Sequence, residues 1–326
     1  MITIVDIEEA AQRLAPHIIE TPLIFSEYLS SKTGAKVAIK AEHQQNTGSF
    51  KFRGAVNKTL QLNDLNETTE IIAASSGNHG IATAAAASIR GLPCKVYLPS
   101  KASPAKVSAI KAFGADIVAI DSADSGEAEI AARSAADQSS AIYISPYNDF
   151  DVVAGQGTIG FELLRELNSA QLNQVDAVVV AVGGGGLISG IATWIKSKSP
   201  STLIIGASPA HDQAMVASIQ AGKIYTPEAQ PTFSDGTAGG IEPEAITFKI
   251  CQTLVDRWIS ITEVEIANAV AAMIDYHHQL VEGAAGVAIA GAVRFAEANP
   301  GSSVVAISCG ANVSSNTLRT MLETAA

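Results

Sequence analysis

Residues 177–198 read AVVVAVGGGGLISGIATWIKSK. The first six are apolar without alternation, which suits a strand covered on both faces in a parallel sheet. Four glycines follow, Gly183, Gly184, Gly185 and Gly186, and then a stretch with helical spacing. A strand that turns through glycines into a helix belongs to an α/β architecture, where such junctions gather at the C-terminal edge of the sheet. Glycines let backbone close on an anion, and the helix start turns free N–H groups toward it. The loop lacks the Gly-Lys-Ser/Thr ending of a nucleotide P-loop and the GxGxxG spacing of a dinucleotide site. It reads as a phosphate cradle or as a hinge.

The same alternation runs outward in both directions. Further strands are expected at Val37–Ala41, Ile71–Ala74, Lys95–Leu98, Asp116–Ile120, Ala141–Ile144, Leu203–Ala207 and Val304–Ser308. Helices are expected at Ile4–Leu14, Gly54–Asn63, Gly80–Arg90, Pro104–Phe113, Glu127–Ala136, Ala154–Leu167, Ile188–Lys198, Thr262–His278 and Gly286–Ala298. Polar, turn-rich stretches at Asn63–Thr69 and Ser145–Asp151 mark crossovers. They predict a small domain, 63–148, inserted into a large one built from 1–62 and 149–326.

With 326 residues, 47% of them hydrophobic, the chain has material for two lobes. A formal net charge of −11 argues against a nucleic-acid partner, which needs basic surface, and against a polybasic membrane anchor. No apolar run is long enough to span a bilayer, and the acidic start, with Asp6, Glu8 and Glu9, is unlike a signal peptide. Three scattered cysteines, Cys94, Cys251 and Cys309, suggest no disulfide framework; a reducing cytoplasm is the expected setting.

Three other motifs carry chemistry. In Thr47-Gly48-Ser49-Phe50-Lys51-Phe52-Arg53-Gly54, a lysine stands among small and aromatic residues just before a helix. Buried, its amine would lose charge and become a Schiff-base nucleophile; exposed, it is an ordinary surface lysine. Ser75-Ser76-Gly77-Asn78-His79-Gly80 follows a strand and opens a helix, as an anion site for a carboxylate or as an ordinary N-cap. Ser308-Cys309-Gly310-Ala311-Asn312 ends the last strand, with Cys309 facing a cleft or buried as a structural thiol. Glu242 and Glu244, beside Pro243, read as a solvated loop, and Arg53 and Arg133 as structural or surface arginines or as partners for a second substrate carboxylate.

Together these stretches resemble the fold-type II pyridoxal-phosphate enzymes, in the serine/threonine dehydratase and serine racemase branch. SFKFRGA, SSGNHG, AGQGT at 154–158, the GGGGL loop, EGAAG at 282–286 and SCGAN occur in that family's order and cover essentially the whole chain. The resemblance implies two lobes, each a mostly parallel sheet flanked by helices, and pyridoxal 5′-phosphate as cofactor. Lys51 would carry the cofactor and act as base at the substrate Cα. Phe50 would cover the ring, Asn78 would bond its hydroxyl, and Gly183 to Gly186 would hold its phosphate. Ser75, Ser76, Asn78 and His79 would surround the substrate. Gly236, Glu282 and Cys309 would line the cofactor, Cys309 at the ring nitrogen. The implied reaction is loss of water and ammonia from a β-hydroxy amino acid such as L-threonine or L-serine, giving a 2-oxo acid. Ser76, matching a second acid/base in racemases, leaves racemisation open, and 3-hydroxyaspartate and phenylserine remain alternative substrates. A homodimer is one open assembly. With SCGAN so near Ala326, no regulatory domain is expected to follow.

Relatives that hold a divalent cation carry two carboxylates where this chain has Ser208 and Ala214. Magnesium and calcium need oxygen ligands of that kind, so no tight metal is expected, unless Asp212 substitutes. Turnover should therefore survive a chelator; a strict requirement restored by added magnesium would refute this.

Overall fold

The computed structural model describes residues 2–63, 65–66, 69–100, 102–122 and 125–326. Its strands are β1 (Leu23–Phe25), β2 (Lys36–Lys40), β3 (Ile71–Ala74), β4 (Cys94–Pro99), β5 (Asp116–Ile120), β6 (Ile142–Tyr143), β7 (Ala177–Ala181), β8 (Leu203–Pro209), β9 (Arg257–Ile261) and β10 (Ser303–Ile307). One sheet has six strands in the order β1-β2-β10-β7-β8-β9, the other four in the order β5-β4-β3-β6. Only the β1–β2 pair is antiparallel among the described residues. This is an α/β fold with two mostly parallel sheets flanked by helices.

The central strands β7 and β10 are buried along their whole length, as an unbroken apolar run requires. Every strand of the smaller sheet falls between residues 71 and 143. Of the expected crossover at 63–69, Asp64, Glu67 and Thr68 lie outside the described residues. Sequence periodicity missed β1, which has only three residues, and β9, an edge strand whose Arg257 and Trp258 interrupt the apolar run. It also missed the helices Glu27–Thr33, Ala214–Ala221, Ile246–Leu254 and Ser315–Thr324.

Helix Phe150–Glu166 is the beam between the two sheets. Asp149 caps it, its carboxylate accepting from the N–H groups of Asp151 and Val152 at 2.8 and 3.0 Å. Helix Gly186–Lys198 crosses it so closely that a Cβ on Gly190 would lie 2.4 Å from the Val153 carbonyl oxygen. Helix Lys51–Leu60 docks on it through Arg53, which has no exposure. The guanidinium donates to Glu42 through Nε and Nη2, both at 2.8 Å, and to Glu162 through Nη2 at 2.8 Å. Glu162 is shared with the buried Lys40 of β2, whose ammonium also reaches Glu166 at 2.9 Å. Burial by itself would lower the pKa of Arg53, but Glu42 and Glu162 outweigh it and raise it.

Breaking such a cluster from one side strands a charge without water, at a cost of about 3–5 kcal/mol. Arg53→Met should lower the urea-unfolding midpoint accordingly at an unchanged denaturant slope. A midpoint equal to the parent's would contradict this account of how helix Lys51–Leu60 is held.

Candidate active site

The SSGNHG, glycine-loop and SCGAN motifs follow strands β3, β7 and β10, whereas AGQGT lies inside helix Phe150–Glu166 and EGAAG opens helix Gly283–Ala298; backbone contacts between loops assemble the site. Ser49 and Gly310 form an isolated antiparallel bridge. Beside it the Phe50 N–H donates to the Cys309 carbonyl at 3.1 Å, and the Ala311 N–H to the Gly48 carbonyl at 2.9 Å. The loop before Lys51 is thereby stitched to the loop after β10. The Glu282 N–H then donates to the Gly310 carbonyl at 3.0 Å, which brings in a third segment. Gly310 has no room for a side chain here: a Cβ would sit 2.5 Å from Glu282 Oε1.

Asn78 joins the smaller sheet to this cluster. Its Nδ2 donates to both oxygens of Glu282 at 2.9 Å, and its Oδ1 accepts from Asn312 Nδ2 at 2.7 Å. Asn312 also donates to the Thr47 carbonyl at 2.8 Å. Cys309 Sγ lies 3.9 Å from Glu282 Oε1, with both residues 3% exposed. A Cβ on Gly236 would be 3.4 Å from the same oxygen, so Gly236 lines the same place. Lys51 Nζ lies 5.1 Å from the centre of the Phe50 ring and donates to the Pro146 carbonyl at 3.0 Å.

Burial dominates the electrostatics. It lowers the Lys51 pKa to about 8, against the opposing pull of Cys309 and Glu282. It raises Glu282 to about 7, although hydrogen bonding from Asn78 works the other way. It pushes the Cys309 thiol well above its ordinary value, and Glu282 adds to the push. At neutral pH the site thus holds an amine near its titration point beside a protonated thiol.

Four helices begin at the site, and none has a side-chain cap. They start at Lys51, Asn78, Gly186 and Gly283, with Phe50, Gly77, Gly185 and Glu282 at the cap positions. Ser75 and Ser76 are not the N-cap of helix Asn78–Arg90; the cap is Gly77, and the Ser75 hydroxyl accepts from the Gly77 N–H at 3.1 Å. First-turn N–H groups without a capping side chain form an anion site. The Ser76 side chain is half-buried and makes no hydrogen bond to another described residue. His79 departs from the expectation that its side chain surrounds a substrate. Its ring is buried, Nε2 bonds the Ile144 carbonyl at 2.7 Å, and burial followed by the nearby Lys51 charge lowers its pKa to about 3. What His79 presents at the helix start is its backbone N–H.

The glycine loop is a cradle that side chains would fill. A Cβ on Gly183 would lie 2.6 Å from the Thr237 carbonyl oxygen, and one on Gly184 2.3 Å from the Tyr147 ring. Gly185 has φ +83°, in the left-handed region that glycine occupies without strain. A cofactor with a phosphate and an amine-reactive aldehyde fits this donor set: glycine N–H groups for the phosphate, Lys51 for the aldehyde, Asn78 for a ring hydroxyl. Sequence reading gave no role to Tyr147, Pro146, Thr237 or Asn312, although Asn312 closes SCGAN and Thr237 directly follows Gly236. Glu242 is no solvated loop residue, since it accepts from Ser145, Asn148 and Arg133. Ser208 donates to the Val182 carbonyl and Asp212 accepts from the Gly239 N–H, and no group of three potential metal ligands occurs among the described residues.

Residues 14–310 match the family described as pyridoxal-phosphate dependent enzyme. The chain is similar to an L-threonine ammonia-lyase of Thermotoga maritima, 36% identical over 316 residues, which span 97% of this chain and 77% of that protein. A solved threonine deaminase isoform 2 from Solanum lycopersicum superposes with a TM-score of 0.92 at 34% identity, covering 98% of this chain and 86% of that one. Maize serine racemase superposes with a TM-score of 0.89 at 31% identity, over 98% and 97% of the two chains.

The folded chain holds Glu282 protonated up to about pH 7, whereas the unfolded chain ionises it near 4.5. Its stabilising contribution is full below the unfolded value and is lost as pH rises through the folded one. In chain freed of cofactor, Glu282→Gln should gain on the parent by on the order of 3 kcal/mol between those limits. Unfolding midpoints that keep a constant gap from pH 4.5 to 7.5 would refute the assignment.

Proposed function

The chain belongs to the pyridoxal-phosphate dependent enzyme family, and on that premise we propose that it removes water and ammonia from a small β-hydroxy amino acid, L-threonine or L-serine first, leaving a 2-oxo acid. The observation that carries the reading is the pairing of Lys51, an amine poised near neutrality, with Cys309, a thiol kept protonated by burial and by Glu282. When bound, pyridoxal 5′-phosphate supplies an aldehyde that links to amines and a ring that draws electron density from the substrate Cα.

This chain's residues then divide the work. Gly183 to Gly186 would hold the phosphate and Phe50 would cover the ring. Cys309 would face the ring nitrogen, where an S–H is too weak a donor to place a full proton, a setting that would suit loss of a β-hydroxyl. Lys51 would take the proton from the substrate Cα; a pKa of about 8 suits a base working near neutral pH. The start of helix Asn78–Arg90, with Ser75 and Ser76, binds the substrate carboxylate through N–H and hydroxyl donors.

Racemisation is the second reading, and its support is the Ser76 hydroxyl, which bonds no other described residue, together with the likeness to maize serine racemase. Dehydration of 3-hydroxyaspartate is less favoured, because the two arginines that could meet a second carboxylate are already held by carboxylates of the chain. Phenylserine is a further candidate. The proposal extends to a cytoplasmic enzyme with 63–148 as its small domain and to a homodimer. Exposed Tyr276, Leu280 and Leu322 provide apolar surface for a second copy. No helix of the described residues is long and apolar enough to cross a membrane.

The test is incubation of cofactor-loaded protein with L-threonine, L-serine, L-threo-3-hydroxyaspartate and phenylserine. Oxo acid, ammonia and the chirality of residual amino acid are then quantified. Equal amounts of 2-oxo acid and ammonia without D-enantiomer are expected from threonine or serine. Accumulating D-amino acid with little oxo acid would replace the dehydratase reading by the racemase one.

A further inference from the structure

Glu242 lies in the segment between Ser234 and the helix Ile246–Leu254, and its carboxylate gathers three donors from the other sheet's side. Ser145 Oγ donates to Oε1 at 3.1 Å and Asn148 Nδ2 to Oε2 at 2.9 Å, so the carboxylate grips both ends of the turn 145–148. Arg133, from helix Ser125–Asp137, reaches Oε2 at 2.5 Å. The guanidinium is itself oriented, stacked 4.3 Å over the Tyr143 ring and bonded to Glu129 at 3.0 Å. The Glu242 side chain is 12% exposed and that of Arg133 37%, so the carboxylate is enclosed while solvent partly screens its partner.

The turn that Glu242 grips carries two contacts to the active site. Tyr147 is the wall of the glycine cradle, and its hydroxyl accepts from the Glu242 backbone N–H at 2.8 Å. Pro146, one residue earlier, presents the carbonyl that accepts from Lys51 Nζ at 3.0 Å. Proline has no backbone donor to hold it, and Tyr147 meets the loop through its ring at Gly184 and through its Cα and Cβ at Gly186. Their places follow from the turn, and the turn is closed by Ser145 Oγ accepting from the Asn148 N–H at 3.0 Å while donating to Glu242.

We propose that Glu242, oriented by Arg133, is a positioning residue that sets both the wall of the phosphate cradle and the hydrogen-bond acceptor of Lys51. This inference rests on the cofactor-binding reading of the site and names a residue that sequence alone assigned to solvent. It has two separable consequences. A loosened Tyr147 weakens phosphate binding. A displaced Pro146 carbonyl removes an acceptor that favours the ammonium form of Lys51, so the amine becomes neutral at lower pH. Cys309, Glu282 and the neutral His79 also face that amine, and none of them touches Glu242.

The full-length chain, freed of cofactor, is mixed with pyridoxal 5′-phosphate across a pH series, and the growth of visible absorbance gives the rate of linkage to Lys51. For the parent, the rate should rise with an inflection at about 8. Glu242→Gln, which keeps the shape and loses the charge, should move that inflection down by on the order of half a unit. It should also bind the cofactor on the order of tenfold more weakly. Arg133→Gln, at a side chain 37% exposed, should shift both in the same direction by less, and it provides the test if the first variant does not fold. A purely structural role would lower the unfolding temperature and leave the inflection in place. An unmoved inflection in the soluble variants therefore overturns the proposal, whatever happens to stability. A parent chain that fails to take up the cofactor would instead overturn the reading of the site.

Discussion

A guanidinium with no access to water cannot be left unpaired, and the position of Arg53 organises the region around it. Glu42, which follows β2, and Glu162, in the helix Phe150–Glu166, hold it from two sides. Lys40 binds the second of these carboxylates from β2 itself. A helix, a strand end and a second helix are thus tied by charges that tolerate little displacement, because none of them can be resolvated. Lys51 stands two residues before Arg53, at the first position of the same helix. Its backbone is placed by that cluster, and its amine by the Pro146 carbonyl.

The same burial has opposite consequences for the two cations. Arg53 has two carboxylates in contact and keeps its charge. Lys51 has a carbonyl at hydrogen-bond distance, with a thiol and a carboxylate acting from further away, and its amine is held near neutrality. One cation is thereby held charged and the other near neutrality, although they are neighbours on one helix. Around Lys51, four helices begin without side-chain caps. The helices Ile4–Leu14 and Glu263–His277, away from the site, carry capping boxes built on Thr3 and Thr262. Uncapped starts are tolerated where an anionic ligand can take the place of the missing cap.

The two sheets meet at the site through polar side chains as much as through apolar packing. Asn78 crosses to Glu282 on one side, and Arg133 crosses to Glu242 on the other. A third pair, Lys106 with Asp235, lies at 3.1 Å in a more exposed place and adds little. The segment 234–242 touches the glycine loop through Thr237 and the neighbourhood of Glu282 through Gly236.

Much of this was legible in the order of residues. Unbroken apolar runs such as AVVVAV announce strands buried on both faces, and glycines after them announce loops that approach a ligand; neither depends on distant partners. Lys51, the glycine loop and the Asn78 and Cys309 motifs were readable because each sits next to the strand or helix that presents it. Tertiary structure decided what those residues meet. Glu242 looked like a charged residue in a proline-containing loop, and only the approach of Ser145, Asn148 and Arg133, some 90 to 110 positions earlier in the chain, makes it a buried partner. His79 looked like a substrate ligand until the Ile144 carbonyl took its ring nitrogen. Composition and periodicity report local preference, whereas burial and partnership are set by contacts far apart in sequence. The fold and the motifs that meet at the site were therefore written locally, and the charge states and the positioning of their side chains were not.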